Sequence, residues 1–337
     1  MTTEKSRRSE ATGMENTGHL DGRLAPTQKS ASSPVSSKFH VLLDANDGAH
    51  SGTTHQQPTP RLTRQPIRDL SAIAKQMSER DWAILRSVAE HRFLTVRHIQ
   101  TLHFGDLTPG SGRRKAQRAL AKLRRLRVLD SLTQRVGGLA AGSDGLVHFV
   151  DDVGQRLLRR ESGTVARRRF HAPTERFLDH QLGIADAHVA LVEADRQGQL
   201  ELLKCEIEPA AWRDYVGMGG TRLTLKPDLY AETACPPGSE YVDAAFIEID
   251  KGTESIPTLI RKCHEYEAYW RLGIEQERNG GFPLVVWSIT AETPSKADKR
   301  RDALRRAIDK NRKLRPELFR IIAPIQLIAT LQEGAEV

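Results

Sequence analysis

The chain has 337 residues, of which 38% are hydrophobic, and its formal net charge is +8 at pH 7. It contains no apolar run of about 18 residues and no charged-then-apolar leader, so we expect neither a membrane span nor a secretory signal and predict a cytoplasmic protein. Its three cysteines are widely spaced and form no Cys-x-x-Cys pair, which argues against a zinc site or a disulfide framework.

Charge is distributed unevenly along the chain. Residues 76–170 contain 19 basic and 9 acidic residues, whereas residues 171–337 contain 22 basic and 27 acidic residues. A basic segment beside a mildly acidic one predicts contact with a polyanion through the release of counterions from phosphates. We therefore predict double-stranded DNA as the partner of residues 76–170.

Residues 1–75 are rich in Ser, Thr, Gly, Pro, Gln and His and have few apolar residues. Such a segment cannot bury enough surface to offset the entropy of an ordered chain, so it is predicted to be a disordered tail. Two domains are expected to follow the tail, over residues 76–170 and 171–337.

The first domain is predicted to contain three helices. Ser78 and Asp81 form a capping pair before an apolar stripe, which indicates a helix over about 79–90. Thr95 is the expected N-cap of a second helix, and the Gly- and Pro-containing stretch 105–112 should end it. A third helix is predicted over about 113–127.

Strand-like runs at 128–132 and 146–150 follow the third helix and are separated by a Gly-rich turn. Three helices and then a two-stranded ribbon are the order of a winged helix-turn-helix. A short helix beginning at Asp151–Asp152 and a basic connector that includes Arg167–Arg169 complete the domain.

The third predicted helix has basic residues outside its apolar stripe, and no acid occurs between Leu107 and Leu129. In a winged helix this element enters the major groove, while the ribbon and flanking basic residues contact the backbone. The alternative is an ordinary solvated helix face. The candidate DNA-contacting residues are Arg113, Arg114, Lys115, Arg118, Lys122 and Arg125.

The second domain alternates helices with strands. Apolar periodicity and composition predict helices over about 174–197, 256–272 and 295–312, and strands over 200–207, 223–231, 241–250, 283–289 and 319–327. The last of these helices is notably basic.

Two of the predicted strands present carboxylates. Asp228 follows Pro227, and alternation along the next strand places Glu248 and Asp250 on one face, opposite Ile247 and Ile249. Three gathered carboxylates would repel one another unless a cation holds them, so they are candidate metal ligands. The alternative is a set of solvated polar residues on the outer face of a half-buried sheet.

The order helix, three strands, helix, strand resembles the PD-(D/E)xK nuclease-like core. Pro227-Asp228 matches its Pro-Asp, and Glu248 matches its (D/E). Together with the predicted winged helix and the run Phe-Ile-Glu-Ile-Asp-Lys-Gly-Thr-Glu, the chain from about Ser78 to Ile289 resembles the replication-relaxation family of actinobacterial plasmids and mobile elements. The resemblance implies an α/β nuclease-like domain, α+β overall with the winged helix, and association with other plasmid replication or mobilisation proteins.

The candidate catalytic residues are Asp228, Glu248, Asp250 and Lys251, of which the three carboxylates are candidate metal ligands. The same resemblance implies that Asp228 and Glu248 bind Mg²⁺, and that a lysine two residues after Glu248 assists catalysis. Here that position is Asp250, and Lys251 lies one residue further, on the opposite face of a regular strand. Three lysines could take the place of the missing one. Lys251 would need a bulge that turns it inward, and the alternatives are Lys262 on the next helix and Lys226 beside the Pro-Asp pair. Asp186 and Glu193 on the preceding helix are further candidate ligands, with a solvated face as the alternative.

Other enzyme classes lack their motifs here. There is no Gly-x-x-x-x-Gly-Lys-Ser/Thr loop, and none of the 12 histidines stands two residues from another, which argues against a P-loop motor and a rolling-circle relaxase. Three hypotheses remain: a DNA-binding accessory protein of plasmid replication or mobilisation with a weak or inactive nuclease-like domain, a Mg²⁺-dependent endonuclease, and a transcriptional repressor.

Overall fold

A computed structural model describes residues 69–135, 145–163, 171–217 and 219–334. Residues 1–68 of the predicted tail lie outside these ranges, as do most of the Gly-rich turn and Arg167–Arg169. The end of the predicted tail is a helix, α1 (Leu70–Gln76), whose N-cap Asp69 accepts a hydrogen bond from the Ala72 amide at 2.9 Å. Residues 70–75 are therefore helical and not part of a structureless tail.

The N-terminal part is built from helices and a small antiparallel sheet. Its elements are α2 (Glu79–His91), β1 (Leu94–Thr95), α3 (Val96–Phe104), α4 (Pro109–Arg125), β2 (Leu129–Arg135), β3 (Leu146–Val150) and α5 (Asp152–Ser162). The strand order is β1-β3-β2, so the predicted two-stranded ribbon gains a third strand. The short β1 was not predicted, because two residues carry no detectable alternation.

Local capping sets the helix boundaries in this part. The capping box at Ser78 and Asp81 is present, with the Ser78 amide donating to Asp81 Oδ2 at 2.9 Å. Helix α4 begins four residues earlier than predicted, because Pro109 tolerates the first helical position and the Gly112 amide donates to the Thr108 carbonyl at 2.8 Å. The predicted loop at 105–112 is correspondingly shorter.

The C-terminal part is organised around a five-stranded mixed sheet of order β10-β9-β8-β7-β4, in which β8, β9 and β10 are parallel to one another and β7 is antiparallel to both β4 and β8. Its elements are α6 (Glu175–Arg196), β4 (Glu201–Ile207), β5 (Arg213–Val216), β6 (Arg222–Leu225), β7 (Leu229–Ala234), β8 (Asp243–Asp250), α7 (Ile256–Trp270), α8 (Ile274–Asn279), β9 (Leu284–Ile289), α9 (Pro294–Asp309), β10 (Phe319–Ile322) and α10 (Leu327–Glu333).

Two predicted strands differ from the observed ones. The strand predicted over 223–231 is divided: β6 pairs with β5 in a separate hairpin, and β7 joins the central sheet. Pro227 lies at the division, where its missing amide hydrogen removes a ladder bond. The strand predicted over 319–327 ends at Ile322, because Pro324 begins a helical turn that leads into α10.

The central sheet is covered on both faces. Ile247 and Ile249 pack in one cluster with residues of α6, whereas Phe246 of the same strand packs with Tyr266 of α7 and Leu304 of α9 in another. The predicted alternation along β8 is therefore confirmed, and it directs Glu248 and Asp250 to the face that carries α7 and α9.

Helix α6 also packs against the N-terminal part. Leu178 and Leu182 cluster with Phe93 and Val147, and Ala185 belongs to the core of the first helices. The described residues accordingly belong to one compact unit. Helix α6 thus contributes residues to the core of the N-terminal part and to the core of the C-terminal part. The sequence had placed the boundary between these two parts near residue 170.

Candidate functional site

The carboxylate cleft lies at the end of β8, between the starts of α6 and α7. It has a volume of about 320 Å³, and its lining includes Asp228, Glu248, Asp250, His180 and Lys262. Pairing of Leu229 with Ile247 sets Asp228 beside β8, because Asp228 immediately precedes β7. The central sheet therefore brings together the carboxylates that the sequence separates by about 20 residues.

Asp228 is buried and bound on both sides. Its Oδ2 accepts a hydrogen bond from the Ile249 amide at 2.7 Å, and its Oδ1 lies 3.5 Å from His180 Nε2. Burial by itself raises the pKa of Asp228. The charge of Lys262 and the bonds to His180 and the Ile249 amide outweigh that effect, so the pKa lies below its ordinary value and the group is a carboxylate.

Glu248 has a partner for each of its oxygens. Lys262 Nζ contacts Oε2 and the Tyr266 hydroxyl donates to Oε1. Burial raises the pKa of Glu248, and the charge of Asp228 adds to this rise while Lys262 and Tyr266 oppose it. Burial alone would lower the pKa of Lys262, but the two carboxylates reverse the effect and keep its ammonium charged.

Asp250 is engaged by another helix. Its carboxylate binds the Arg300 guanidinium of α9 in a two-pronged contact, with Nη2 at 3.0 Å from Oδ1, and it also accepts from the Gly252 amide at 3.1 Å. Its side chain is only 2% exposed. Both oxygens of Asp250 are therefore occupied by protein donors.

The three lysines considered as replacements lie in different places. Lys251 lines the cleft, but its Nζ lies 3.4 Å from Asp179 Oδ1 on α6. Lys226 stacks over the Trp212 ring at 4.9 Å. Of these three, Lys262 is the one that contacts Glu248.

Asp186 and Glu193 face α3 and not the cleft. His98 Nε2 lies 2.9 Å from Asp186 Oδ1, and the Thr101 hydroxyl donates to Glu193 Oε1 at 3.1 Å. These carboxylates attach α6 to the N-terminal helices. Neither carboxylate lines the carboxylate cleft, and the Asp186 side chain is 58% exposed.

Asp228 and Glu248 are the two carboxylates of the cleft that could bind a metal ion. In the part of the chain that the structure describes, no group of three or more His, Cys, Asp and Glu side chains could hold a metal ion. Mg²⁺ uses one or two carboxylates and keeps several waters, so the oxygens of Asp228 and Glu248 suit it chemically. Asp228 and Glu248 are the residues that would hold such an ion.

His180 lines the cleft, and Tyr266 and Arg300 bind two of its carboxylates; sequence analysis assigned none of the three to this site. Arg300 is 50 residues from Asp250, and no local pattern connects them. Lys262 does leave a signal, because it lies three residues after buried Leu259 and four before buried Tyr266, as a charged residue on an inward-facing stripe.

The other candidate region is the exposed side of α4. Its buried side contains Ala116, Leu120 and Leu123, and the exposed basic residues of the helix are Arg113, Arg114, Lys115, Arg118, Arg124 and Arg125. Lys122 differs from these, because its Nζ lies 2.6 Å from buried Asp81 Oδ2 and joins α4 to α2. Arg113 and Arg97 line a cleft of about 630 Å³ where the starts of α3 and α4 approach α6.

A basic helical unit joined to a mixed sheet with a carboxylate cleft defines the chain as an α+β protein. Residues 85–285, which extend from α2 to β9, match the replication-relaxation family. The match covers more than half of the chain, which therefore belongs to the replication-relaxation family, with a role related to replication. No curated protein and no solved structure matches it. Among the described residues, none of the helices has the length and apolarity to cross a bilayer.

Proposed function

We propose that the chain is a duplex-DNA-binding protein of plasmid or mobile-element replication or mobilisation, and that it docks through α4. The observation that carries this proposal is the exposed surface of α4, which has six exposed basic residues and no acid. The order of α2, β1, α3, α4, β2 and β3 supports a winged helix, in which the third helix lies in the major groove. Family membership supports the replication context.

Duplex binding tests this proposal directly. Arg114→Ala and Arg118→Ala together should weaken affinity about tenfold and reduce the slope of log affinity against log salt by about 2, since each lost phosphate contact removes about 0.9. Arg278→Ala, an exposed arginine of α8, is the control for charge. An unchanged affinity and slope in the α4 variant would place the DNA-binding surface elsewhere.

A second candidate function is a metal-dependent DNA endonuclease, and the position of Lys262 favours it. The lysine that β8 lacks has a counterpart on α7, in contact with Glu248 and close enough for its charge to act on Asp228. Asp228 and Glu248 would hold Mg²⁺, which when bound activates a water and stabilises charge on a phosphate. The repressor hypothesis gives the cleft no role.

The residues of the chain have distinct tasks in that reaction. Lys262 would place its ammonium beside the scissile phosphate, Tyr266 fixes the Glu248 carboxylate, and the Ile249 amide orients Asp228. Arg300 neutralises Asp250, the acid in the usual lysine position. That neutralisation removes a negative charge that would otherwise repel the phosphate.

Plasmid nicking with Mg²⁺ or Mn²⁺ separates the two candidates. If the endonuclease proposal is correct, Asp228→Ala, Glu248→Ala and Lys262→Met each abolish nicking, whereas Lys251→Ala retains it, because Lys251 pairs with Asp179. The absence of cleavage by the unmodified chain on supercoiled, linear and single-stranded DNA would contradict the endonuclease. The C-terminal part, which contains the carboxylate cleft, would then be a scaffold without catalytic activity in a DNA-binding protein.

A further inference from the structure

Helix α9 carries a basic stripe on its outward side. Lys299 and Arg306 of α9 and Lys310, the C-cap with helical backbone angles, are spaced by seven and four residues, so at about 100° per residue they fall within a band of about 40°. All three are exposed. The opposite side of the helix is buried through Ala297, Leu304 and Ile308.

The acids of α9 are Asp298, Asp302 and Asp309, and none of them forms a salt bridge with a stripe residue. Asp298 and Asp302 of α9 pair with Arg301 and Arg305, which lie on the flank of the helix. None of the three stripe residues forms a salt bridge with a carboxylate of the ranges that the structure covers. The stripe therefore presents three cations to solvent.

One end of the stripe is adjacent in sequence to a residue that contacts a carboxylate of the cleft. Arg300 follows Lys299 in the chain, and its guanidinium binds Asp250 inside the cleft. At about 1.5 Å per residue, the stripe extends about 16 Å along α9 from this point.

The C-terminal half of the chain needs such a surface if it is to hold nucleic acid. Residues 171–337 contain 27 acidic and 22 basic residues, and the cleft itself contains buried carboxylates, so this half repels phosphates on average. A local line of cations opposes that repulsion within a Debye length, which is about 8 Å at physiological salt.

We propose that the α9 stripe binds the phosphate backbone of duplex DNA and forms a second nucleic-acid surface, separate from α4. This proposal rests on the proposed function only because it assumes that the polyanion is DNA. A protein partner fits less well, because protein interfaces need apolar or aromatic anchors at their centre. None of the large hydrophobic side chains exposed in the described ranges lies on α9.

Charge reversal on the full chain tests this surface. Lys299→Glu, Arg306→Glu and Lys310→Glu together should weaken binding to a duplex of about 30 base pairs at least tenfold and reduce the salt slope by about 3. The control is Lys75→Glu, Arg222→Glu and Arg278→Glu, which changes the net charge equally at exposed residues of α1, β6 and α8. Urea unfolding of each variant confirms that it is folded.

The outcomes separate this proposal from the one concerning α4. If the stripe variant binds like its control, the stripe is not a DNA surface, whatever the α4 variants do. If the stripe variant loses affinity and Arg114→Ala/Arg118→Ala does not, the stripe is supported and docking through α4 is wrong. Losses in both, with a greater loss when the two sets are combined, support two separate surfaces.

Discussion

At the scale of single residues, the contact between Lys262 and Glu248 compensates the buried charge of the cleft. Glu248 is 1% exposed, and its carboxylate would be costly to bury without the ammonium of Lys262 and the hydroxyl of Tyr266. Alternation along β8 is sufficient to predict which face Glu248 occupies. Its partner lies on a different helix, 14 residues later, and only the packing of α7 on the sheet brings the two together.

Removal of the Lys262 charge should therefore destabilise the fold. Lys262→Met leaves Glu248 and Asp228 as buried acids with less compensation, and we expect a loss of about 3 kcal/mol in the free energy of unfolding, measured by urea denaturation at pH 7. Glu248→Gln in the same chain should recover much of that loss. If the double variant is as unstable as the sum of the single variants, the two residues are not coupled.

At the scale of secondary-structure elements, Asp81 connects two helices. Its carboxylate completes the capping box of α2 and also binds Lys122 of α4. Sequence analysis predicted the capping pair from Ser78 and Asp81, because capping is local. It included Lys122 among the DNA-contacting residues, because spacing alone does not distinguish a cation that faces solvent from one that faces a neighbouring helix.

Asp81→Ala should therefore lower stability without weakening DNA binding. Loss of the capping bond costs about 1 kcal/mol, and loss of the contact with Lys122 adds to it, so we expect a decrease of about 2 kcal/mol in urea unfolding. Duplex affinity of the folded protein should stay within twofold. A tenfold loss of affinity, equal to that of Arg114→Ala/Arg118→Ala, would show that the DNA-binding surface includes this pair.

At the scale of the whole molecule, α6 holds the N-terminal helices and the central sheet together, and buried histidines lie at this junction. His91 Nδ1 donates to the Ser87 carbonyl at 2.8 Å, which leaves its Nε2 to accept from His188 Nδ1 at 2.9 Å. That arrangement requires the His91 ring to be neutral, because its Nε2 accepts a hydrogen bond. Burial lowers the pKa of His91 to about 3 and that of His188 to about 4.

Mild acid should consequently weaken the whole fold. His148 is also buried, and burial lowers its pKa to about 4 from an ordinary value of 6.5. The unfolded chain binds protons first, so stability is complete above about pH 6.5 and decreases toward pH 4, by up to about 1.4 kcal/mol per pH unit for each histidine. Urea midpoints at pH 7, 6 and 5 measure this decrease.

The variant His148→Leu provides the matched comparison. Neither ring nitrogen of His148 has a hydrogen-bond partner in the described part of the chain, so leucine removes the proton-binding group without breaking a bond. The pH dependence should become shallower in this variant and remain unchanged in His171→Gln, which alters an exposed histidine. Equal slopes in all three proteins would contradict the assignment.

The sequence by itself determined most helices, the alternation of β8 and the two regions that bear charge. These features depend on local causes: helix caps such as Ser78 and Thr95, apolar periods, and the spacing of charged residues. It also indicated the family, through Pro227-Asp228 and Glu248 within a recognisable order of elements.

Only the tertiary structure decided the partners of those charges. Asp250 binds Arg300, Lys122 binds Asp81 and Lys262 reaches Glu248, although 50, 41 and 14 residues separate the members of these pairs. Charged side chains have no sequence period that identifies a distant partner, because the packing of helices on a sheet sets which of them meet. The same packing placed α6 in both cores, where a boundary drawn from composition could not show a shared helix.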